Sequence, residues 1–264
     1  MIDQIYIYHH LGLGDHFHCN GVVRYLLDNK YKGKKVNLFA KRKYHEMVKF
    51  MYRDLDNLTI IPISDNEKNE EQEVKKFIKP NDVIEKIGFE YFLTNKDKGL
   101  TIDMLFYDQY NIDYNKRFEL TYWKRDHANE EKLFNTLVKK KDFIFIHDDP
   151  SRNFNIPDKN IKKNYQIIRN SYKYSIFDYC KIIEKAKEIH VMESSARCMI
   201  EYLNTERSDH YLYNFKGGPW KSIPYYNKNN ELVGSSKKWK IIEINFNKKK
   251  DFLKSIFKFK FKIF

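Results

Sequence analysis

Cysteine, glycine and proline are scarce in this sequence of 264 residues, and their scarcity excludes several classes of protein. The three cysteines, Cys19, Cys180 and Cys198, are odd in number and far apart, with no CxxC pair. Neither a disulfide framework nor a cysteine zinc site is therefore expected, and we predict a reducing, cytoplasmic compartment. Nine glycines and six prolines are too few for a collagen-like or linker-like chain.

Long hydrophobic runs are also missing. Nowhere do 18 apolar residues follow one another, so no transmembrane helix is predicted. The N-terminus carries Asp3 where a signal peptide needs basic residues, and no long apolar segment follows it. Hydrophobic residues nevertheless make up 42% of the chain, which is enough for a sizeable folded core.

Positive charge is in excess. Lysine and arginine total 49 against 36 acidic residues, and the formal net charge of +13 favours nucleotides, nucleic acid or an anionic membrane as partners. A non-catalytic nucleic-acid-binding protein is one alternative, but the lysines are scattered and no RNP1 or zinc-finger pattern occurs, so no nucleic acid is expected. The segment 248–264 interleaves lysines with aromatic residues. It is either a terminal element packed on the protein or a peripheral contact with an anionic membrane.

Strands and helices are predicted to alternate twice along the chain. The first half reads β-α-β-α-β-α-β, starting with a buried strand over 4–8 and a helix from about His16 to Asn29. An irregular stretch rich in Tyr, Asp and Asn follows. The alternation restarts with a strand at 142–147 and runs to a last clear strand at 210–213.

Alternating strands and helices are typical of parallel sheets covered by helices on both faces. We therefore predict an α/β fold with two Rossmann-like parallel-sheet domains that face a cleft. The predicted boundaries are residues 1–125 for the first domain and 126–240 for the second, followed by a basic aromatic tail at 241–264.

The loop after the first strand contains Gly12 and Gly14. Ligands of open parallel sheets bind at the carboxyl ends of strands, and glycine lets the backbone approach a ligand closely. The third glycine of a dinucleotide fingerprint would fall at Phe17, so no NAD site is expected there. The sequence also lacks the GxxxxGK[ST] pattern of a P-loop nucleotidase.

Asp15 stands just before the predicted helix. It is either an N-cap or a general base that takes a proton from an acceptor hydroxyl, with His16 and His18 as competing bases. Four histidines, His9, His10, His16 and His18, fall in this segment, but successive residues point apart and a metal cluster is not expected.

The loop after the strand at 142–147 offers two functions. Asp148 and Asp149 could bind a divalent metal, or the Arg152 guanidinium could bind a diphosphate through bidentate hydrogen bonds. The purely structural alternative is a loop fixed by bonds from the Asp side chains to the backbone.

Glu193, Ser194 and Ser195 form the turn between the strand at 188–192 and a helix. Free backbone amides at a helix start bind phosphate, and Ser hydroxyls add donors, whereas the structural alternative is an ordinary Ser N-cap. Glu193 could accept hydrogen bonds from a ribose.

Two segments resemble the GT-B glycosyltransferases, notably their heptosyltransferase-like and fucosyltransferase-like groups. The run Gly12-Leu13-Gly14-Asp15-His16 is similar to their N-terminal glycine-Asp loop. The pattern over 177–195, a helix, a strand and an acidic-Ser turn, is similar to their second domain. Here Glu193 replaces the commoner Asp, and the following helix lacks the Gly-His pair.

The resemblance implies transfer of a sugar from a nucleotide donor to a hydroxyl acceptor. We predict a metal-independent, inverting enzyme without a cofactor that uses a nucleotide-diphosphate sugar and a glycan or glycolipid acceptor. Asp15 would be the base, and the donor would lie against the second domain. The alternative enzyme is a metal-dependent one acting on phosphate or sugar phosphate through Asp148 and Asp149. The candidate site residues are Asp15 and His16 for catalysis, Gly14, His147, Arg152, Glu193, Ser194 and Ser195 for the donor, and His18 and Asn20 for the acceptor.

Overall fold

The structure is a computed structural model that describes residues 4–149, 154–158, 161, 164–216 and 234–245. Arg152 and residues 246–264 of the predicted tail lie outside these described residues. Within the described part of the chain, no helix is both long enough and apolar enough to span a membrane.

The first domain is built on a four-stranded parallel sheet in the order β3-β2-β1-β4. The strands are β1 (Ile5–His9), β2 (Val36–Lys41), β3 (Leu58–Ile63) and β4 (Val83–Ile87). The helices are α1 (Leu13–Asp28), α2 (His45–Met51), α3 (Glu67–Phe77), α4 (Glu90–Asn95), α5 (Ile102–Asp108) and α6 (Arg117–Leu120), with 3-10 turns at Arg42–Tyr44, Lys96–Lys98 and Tyr114–Lys116. All five residues of β1 are buried, as expected for a β-branched and aromatic strand with neighbours on both sides.

The second domain has a five-stranded parallel sheet in the order β6-β5-β7-β8-β9. The strands are β5 (Phe143–Ile146), β6 (Gln166–Arg169), β7 (Glu188–Met192), β8 (Asp209–Lys216) and β9 (Trp239–Asn245). The helices are α7 (His127–Leu137), α8 (Cys180–Lys185), which follows a 3-10 turn at Ile176–Tyr179, and α9 (Ser195–Ile200). Strand β9 was not predicted from the sequence; it pairs parallel with β8 and continues past residue 240.

Helix α1 begins earlier than the sequence predicted. Its first residue is Leu13, and the extended residue Gly12 is the N-cap, whose carbonyl accepts a hydrogen bond from the His16 amide at 3.1 Å. The interpretation of Asp15 as an N-cap is therefore wrong. Asp15 lies inside the first turn, where a negative charge is favoured by the helix dipole.

An aromatic cluster joins the two domains. Phe17 of α1 lies 5.7 Å from Trp123 of the linker and 5.6 Å from Phe177 of the second domain, measured between ring centroids. Helix α1 also packs directly on α9, and a Cβ added to Gly14 would lie 3.8 Å from the Cα of Ser195. Gly14 therefore allows the starts of two helices from different domains to approach each other.

In each sheet the strand order reverses beside the strand that opens the domain. The chain runs from β1 to β2 and β3 and returns to the other side of β1 as β4, and it runs likewise from β5 to β6 and back to β7. Such reversal points create a crevice at the carboxyl ends of the strands, where ligands of open α/β sheets bind. The loops after β1, β5 and β7 lie at these points, and they are the loops in which the sequence predicted chemistry.

Candidate active site between the domains

A cleft of about 1450 Å³ lies between the carboxyl ends of the two sheets. Both domains line it, as a substrate site between domains requires. Seven predicted site residues are among its lining residues: Gly14, Asp15, His18, His147, Glu193, Ser194 and Ser195.

Asp15 is the titratable group whose setting best fits proton transfer. Burial raises the pKa of its carboxyl to about 7, and the charge of Asp103 adds to that rise, while the Gly12 amide and Lys41 oppose it. A Cβ placed on Gly12 would lie only 2.6 Å from Oδ2 of Asp15, so the carboxylate folds back over the N-cap. A base with a pKa near the working pH transfers protons most effectively.

His16 and Asn20 do not face the cleft. His16 is fully buried, and its ring packs edge-on against His9 at a centroid distance of 4.4 Å. Asn20 is also fully buried, and its Oδ1 accepts hydrogen bonds from Arg24 at 3.1 Å and from the Tyr122 amide at 2.9 Å. The structure thus places His16 in the core beneath the loop and uses Asn20 to attach α1 to the interdomain linker.

His18 lies one helical turn after Asp15 and does line the cleft. Its Nδ1 is 3.9 Å from Oδ2 of Asp103, and the Tyr114 hydroxyl donates to the same carboxylate oxygen. Burial lowers the pKa of His18 to about 4, so its ring is neutral at pH 7. Burial alone would raise the pKa of Asp103, but His18, Thr101 and Tyr114 hold it below the usual value.

On the second domain, three charged side chains at and beside α9 form ion pairs with one another. Arg197 is buried and donates from Nε to Glu193 at 2.9 Å, and its Nη1 lies 3.5 Å from Glu201. Burial also raises the pKa of the Glu193 carboxyl. Ser194 is the N-cap residue of α9, as the structural alternative predicted, but its hydroxyl donates to the Met192 carbonyl at 3.1 Å and makes no capping hydrogen bond.

The metal-dependent alternative requires Asp148 and Asp149 to bind one metal together. In the loop after β5, however, the two side chains have different partners. Asp148 accepts from the Ile156 amide at 2.8 Å through Oδ1 and from Arg169 through Oδ2. Asp149 lines the cleft, and Oδ1 of its side chain accepts from the Tyr172 hydroxyl at 3.3 Å. Asp148 therefore stabilises the loop, as its structural interpretation predicted. Among the described residues, no three His, Cys, Asp or Glu side chains group in a way that could hold a metal ion.

Five further residues line the cleft that the sequence pattern did not predict: Asp103, Tyr114, Arg117, Arg197 and Glu201. A signal existed for the last two, because Glu193, Arg197 and Glu201 follow one another at intervals of four, the spacing of ion pairs along a helix. No local signal marked the other three, which come from the segment that the sequence left irregular.

No protein-family model matches the sequence, and no curated protein matches it. The fold is similar to solved structures. A glycosyl transferase family 9 protein from Veillonella parvula matches with a TM-score of 0.50 at 7% identity, over 97% of this chain and 89% of that one.

Two further matches come from E. coli. ADP-heptose lps heptosyltransferase II has a TM-score of 0.46 at 12% identity over 91% of this chain and 90% of that chain. Heptosyltransferase WaaC with ADP-2-deoxy-2-fluoro heptose has a TM-score of 0.42 at 8% identity over 91% of this chain and 93% of that one.

At these identities, similarity to the Veillonella structure shows the fold alone. The predicted α/β class is confirmed: the chain consists of two parallel-sheet domains arranged as in GT-B proteins, with the candidate site in the cleft between them.

Proposed function

We propose that this chain is a glycosyltransferase that moves a sugar from a nucleotide-diphosphate donor to a hydroxyl of a glycan or glycolipid. The observation that carries the proposal is the placement of Asp15. Its carboxyl, with a pKa of about 7, lines an interdomain cleft at the reversal point of the first sheet, and the turn after β7 lines the same cleft. A GT-B-like fold adds support, because it puts donor and acceptor on opposite walls of such a cleft.

In the proposed reaction, Asp15 takes the proton of the acceptor hydroxyl. The hydroxyl oxygen forms a bond to the anomeric carbon of the donor as the bond to the diphosphate breaks, and the nucleoside diphosphate leaves. Attack from the face opposite the leaving group inverts the anomeric carbon. His16 has no part in this step, because its ring is fully buried.

The donor would lie along the second domain, against Glu193, Ser194, Ser195 and His147, which line the cleft at the ends of β7 and β5. Hydrogen-bond donors that are held in place and point at the departing diphosphate lower the activation barrier of the reaction more than groups that must reorganise. The predicted diphosphate contact of Arg152 stays a prediction. We also propose that the reaction needs no metal, since one of the two paired aspartates, Asp148, already bonds Ile156 and Arg169 through both its oxygens.

Thermal unfolding with a panel of nucleoside diphosphates is the first test. We expect one of ADP, GDP, UDP or dTDP to raise the Tm equally in Mg²⁺ and in EDTA. A ligand at 100 times its Kd adds about 2.7 kcal/mol of stability, which such a scan detects. Stabilisation that requires Mg²⁺ would instead favour the metal-dependent alternative.

The second test compares Asp15→Asn with Asp28→Asn, an exposed aspartate at the other end of α1. Asp15→Asn should abolish sugar transfer while the nucleoside diphosphate still raises the Tm, because the base is lost but the donor wall is intact. Asp28→Asn should match the wild type in both measurements. Near-normal turnover of Asp15→Asn would show that Asp15 is not the base.

A further inference from the structure

Three arginines among the described residues are buried: Arg24, Arg117 and Arg197. Two of them have carboxylate partners. Arg24 donates to both carboxylate oxygens of Asp54, at 2.8 and 2.9 Å, and Arg197 donates to Glu193 at 2.9 Å. Arg117 is the most buried of the three, with 4% of its surface exposed, and it forms no ion pair with any residue that the structure describes.

The contacts of Arg117 are with neutral groups. Its Nη1 donates to the Tyr114 carbonyl at 3.0 Å and its Nη2 to the Gly234 carbonyl at 2.7 Å. Its guanidinium carbon lies 3.8 Å from the centroid of the Tyr114 ring and 3.9 Å from that of Phe118. Carbonyl oxygens and aromatic faces attract a cation, but they lack the full negative charge that offsets the burial of a cation.

Asp103, on the same wall of the cleft, has other partners. Its Oδ2 accepts from the Tyr114 hydroxyl and lies 3.9 Å from Nδ1 of His18, and Thr101 also hydrogen-bonds it. Tyr114 thus contacts both charges, the carboxylate through its hydroxyl and Arg117 through its carbonyl and ring face. Asp103 weakens the positive field around Arg117 but does not accept from its N–H groups.

The remaining donors of Arg117 are available to a substrate. The residue lines the interdomain cleft, together with Tyr114 and Gly234. Two of its N–H groups donate to the carbonyls, and the others make no measured hydrogen bond with a described residue. A guanidinium binds oxyanions in its own plane, and stacking on aromatic rings leaves the edge of that plane free. The carbonyls and rings fix the group before a ligand binds, so binding requires little reorganisation.

We propose that Arg117 binds an oxyanion carried by a substrate, either a phosphate of the donor diphosphate or an acid group of the acceptor. The assignment rests on the proposed function and gives the same site a binding residue from the first domain. A bound oxyanion would supply the opposite charge that the described residues do not offer to Arg117.

The experiment compares Arg117→Met, Arg117→Lys and the control Arg24→Lys with the wild type, all in the full chain. Arg117→Met removes the charge and the donors, whereas Arg117→Lys keeps the charge and loses the bidentate geometry. Arg24 is a matched control, since it is also buried and also contacts two tyrosine rings, but it is paired with Asp54 and does not line the cleft.

Two sets of ligands separate the two sources of the oxyanion. The donor set contains the nucleoside diphosphate that raises the Tm, inorganic pyrophosphate, and the matching nucleoside as the neutral reference. The acceptor set contains methyl glucuronide, glucose 6-phosphate, and methyl glucoside as the neutral reference. The Kd of each ligand is measured by calorimetry at constant ionic strength, and sugar transfer and donor hydrolysis are assayed alongside.

Arg117→Met should raise the Kd of the anionic members of one set about 10- to 100-fold, the usual effect of losing hydrogen bonds to a charged group. The neutral reference of that set should bind as before. Arg117→Lys should raise the same Kd values less. Arg24→Lys should lower the Tm, because its pair with Asp54 is disturbed, and leave every Kd unchanged. If Arg117→Met does not fold, the comparison of Arg117→Lys with Arg24→Lys decides.

Unchanged Kd values for every anionic ligand would overturn the inference. An equal loss for the charged and the neutral members of a set would also overturn it, because damage to the cleft affects both alike. So would a wild type that binds no anion of either set. Failure of the proposed function is a different result, namely no sugar transfer and no donor hydrolysis by the wild type, whichever ligands depend on Arg117.

Discussion

At the scale of single residues, the raised pKa of Asp15 predicts the pH dependence of the reaction. A base must be deprotonated, so kcat/KM should rise through a pKa of about 7 and level off above it. The measurement is the initial rate at low acceptor concentration between pH 5 and 9. If kcat/KM instead rose near pH 4, where an ordinary aspartate titrates, the Asp15 carboxyl would not be buried in the way that the structure describes.

Two neighbouring glycines provide a second residue-scale prediction. A methyl group on Gly12 would lie 2.6 Å from Oδ2 of Asp15, whereas one on Gly14 would lie 3.2 Å from Sγ of Cys198 in the second domain. Gly12→Ala should therefore displace the base and lower kcat by about tenfold or more, because misplacement of a reacting group by about an ångström is costly. Nucleoside diphosphate binding should survive.

Gly14→Ala is the comparison, because it disturbs the contact between the domains instead. We expect it to lower the Tm with a smaller loss of kcat, since Cys198 can give way by a few tenths of an ångström. If Gly14→Ala lost more kcat than Gly12→Ala, the carboxylate could not be the group that Gly12 accommodates.

At the scale of elements, Gly21 allows α1 to lie against α5 and the end of α6. A Cβ there would be 2.5 Å from the Tyr107 hydroxyl and 3.0 Å from Cβ of Leu120. Gly21→Ala should destabilise the protein by about 1–3 kcal/mol, the usual cost of overpacking, as measured by urea unfolding. Adding Tyr107→Phe removes the closest atom, so the double variant should recover part of the loss. Additive losses in the two variants would contradict this contact.

The elements also show what local sequence can predict. Strands β1, β5 and β7 are short apolar runs that end in loops, so their positions followed from composition alone. Strand β9 was missed because Trp239–Asn245 mixes lysine and glutamate into its apolar residues, and only pairing with β8 identifies it as a strand. Helix α1 starts at Leu13 because Gly12 can cap it, a detail of backbone geometry that the histidine-rich segment conceals.

At the scale of the whole molecule, the site is assembled from both halves of the chain. Residues that follow predicted strands, such as Asp15 and Glu193, could be found because strand ends are where ligands bind. Asp103 and Arg117 could not, because their place at the cleft depends on how α5 and α6 fold back onto α1. The sequence also does not predict which polar side chains are buried. His16 was a candidate base on sequence grounds, but its ring lies in the core.

Burial of neutral histidines makes the folded state sensitive to acid. Burial lowers the pKa of His9, His18 and His210 to about 4 and that of His16 well below its usual value. Each of these rings is protonated in the unfolded chain below about pH 6.5 but stays neutral in the folded chain down to about pH 4 or lower. The unfolded chain therefore binds more protons across that window, and stability is lost as the pH falls through it. Asp15 acts in the opposite direction between pH 7 and 4, because its folded pKa is raised, so it removes about one proton from this difference.

The free energy of unfolding should fall steeply between pH 6.5 and 4, by about 1.4 kcal/mol per pH unit for each proton of the difference. Urea unfolding at several pH values measures this slope. His16→Leu keeps the volume and removes one titrating group, so it should lower the slope by about one proton and leave sugar transfer intact. His127→Gln is the control, because that side chain is 80% exposed and should change nothing. A stability that stays level from pH 6.5 to 4.5 would mean that these rings carry their protons in the folded state.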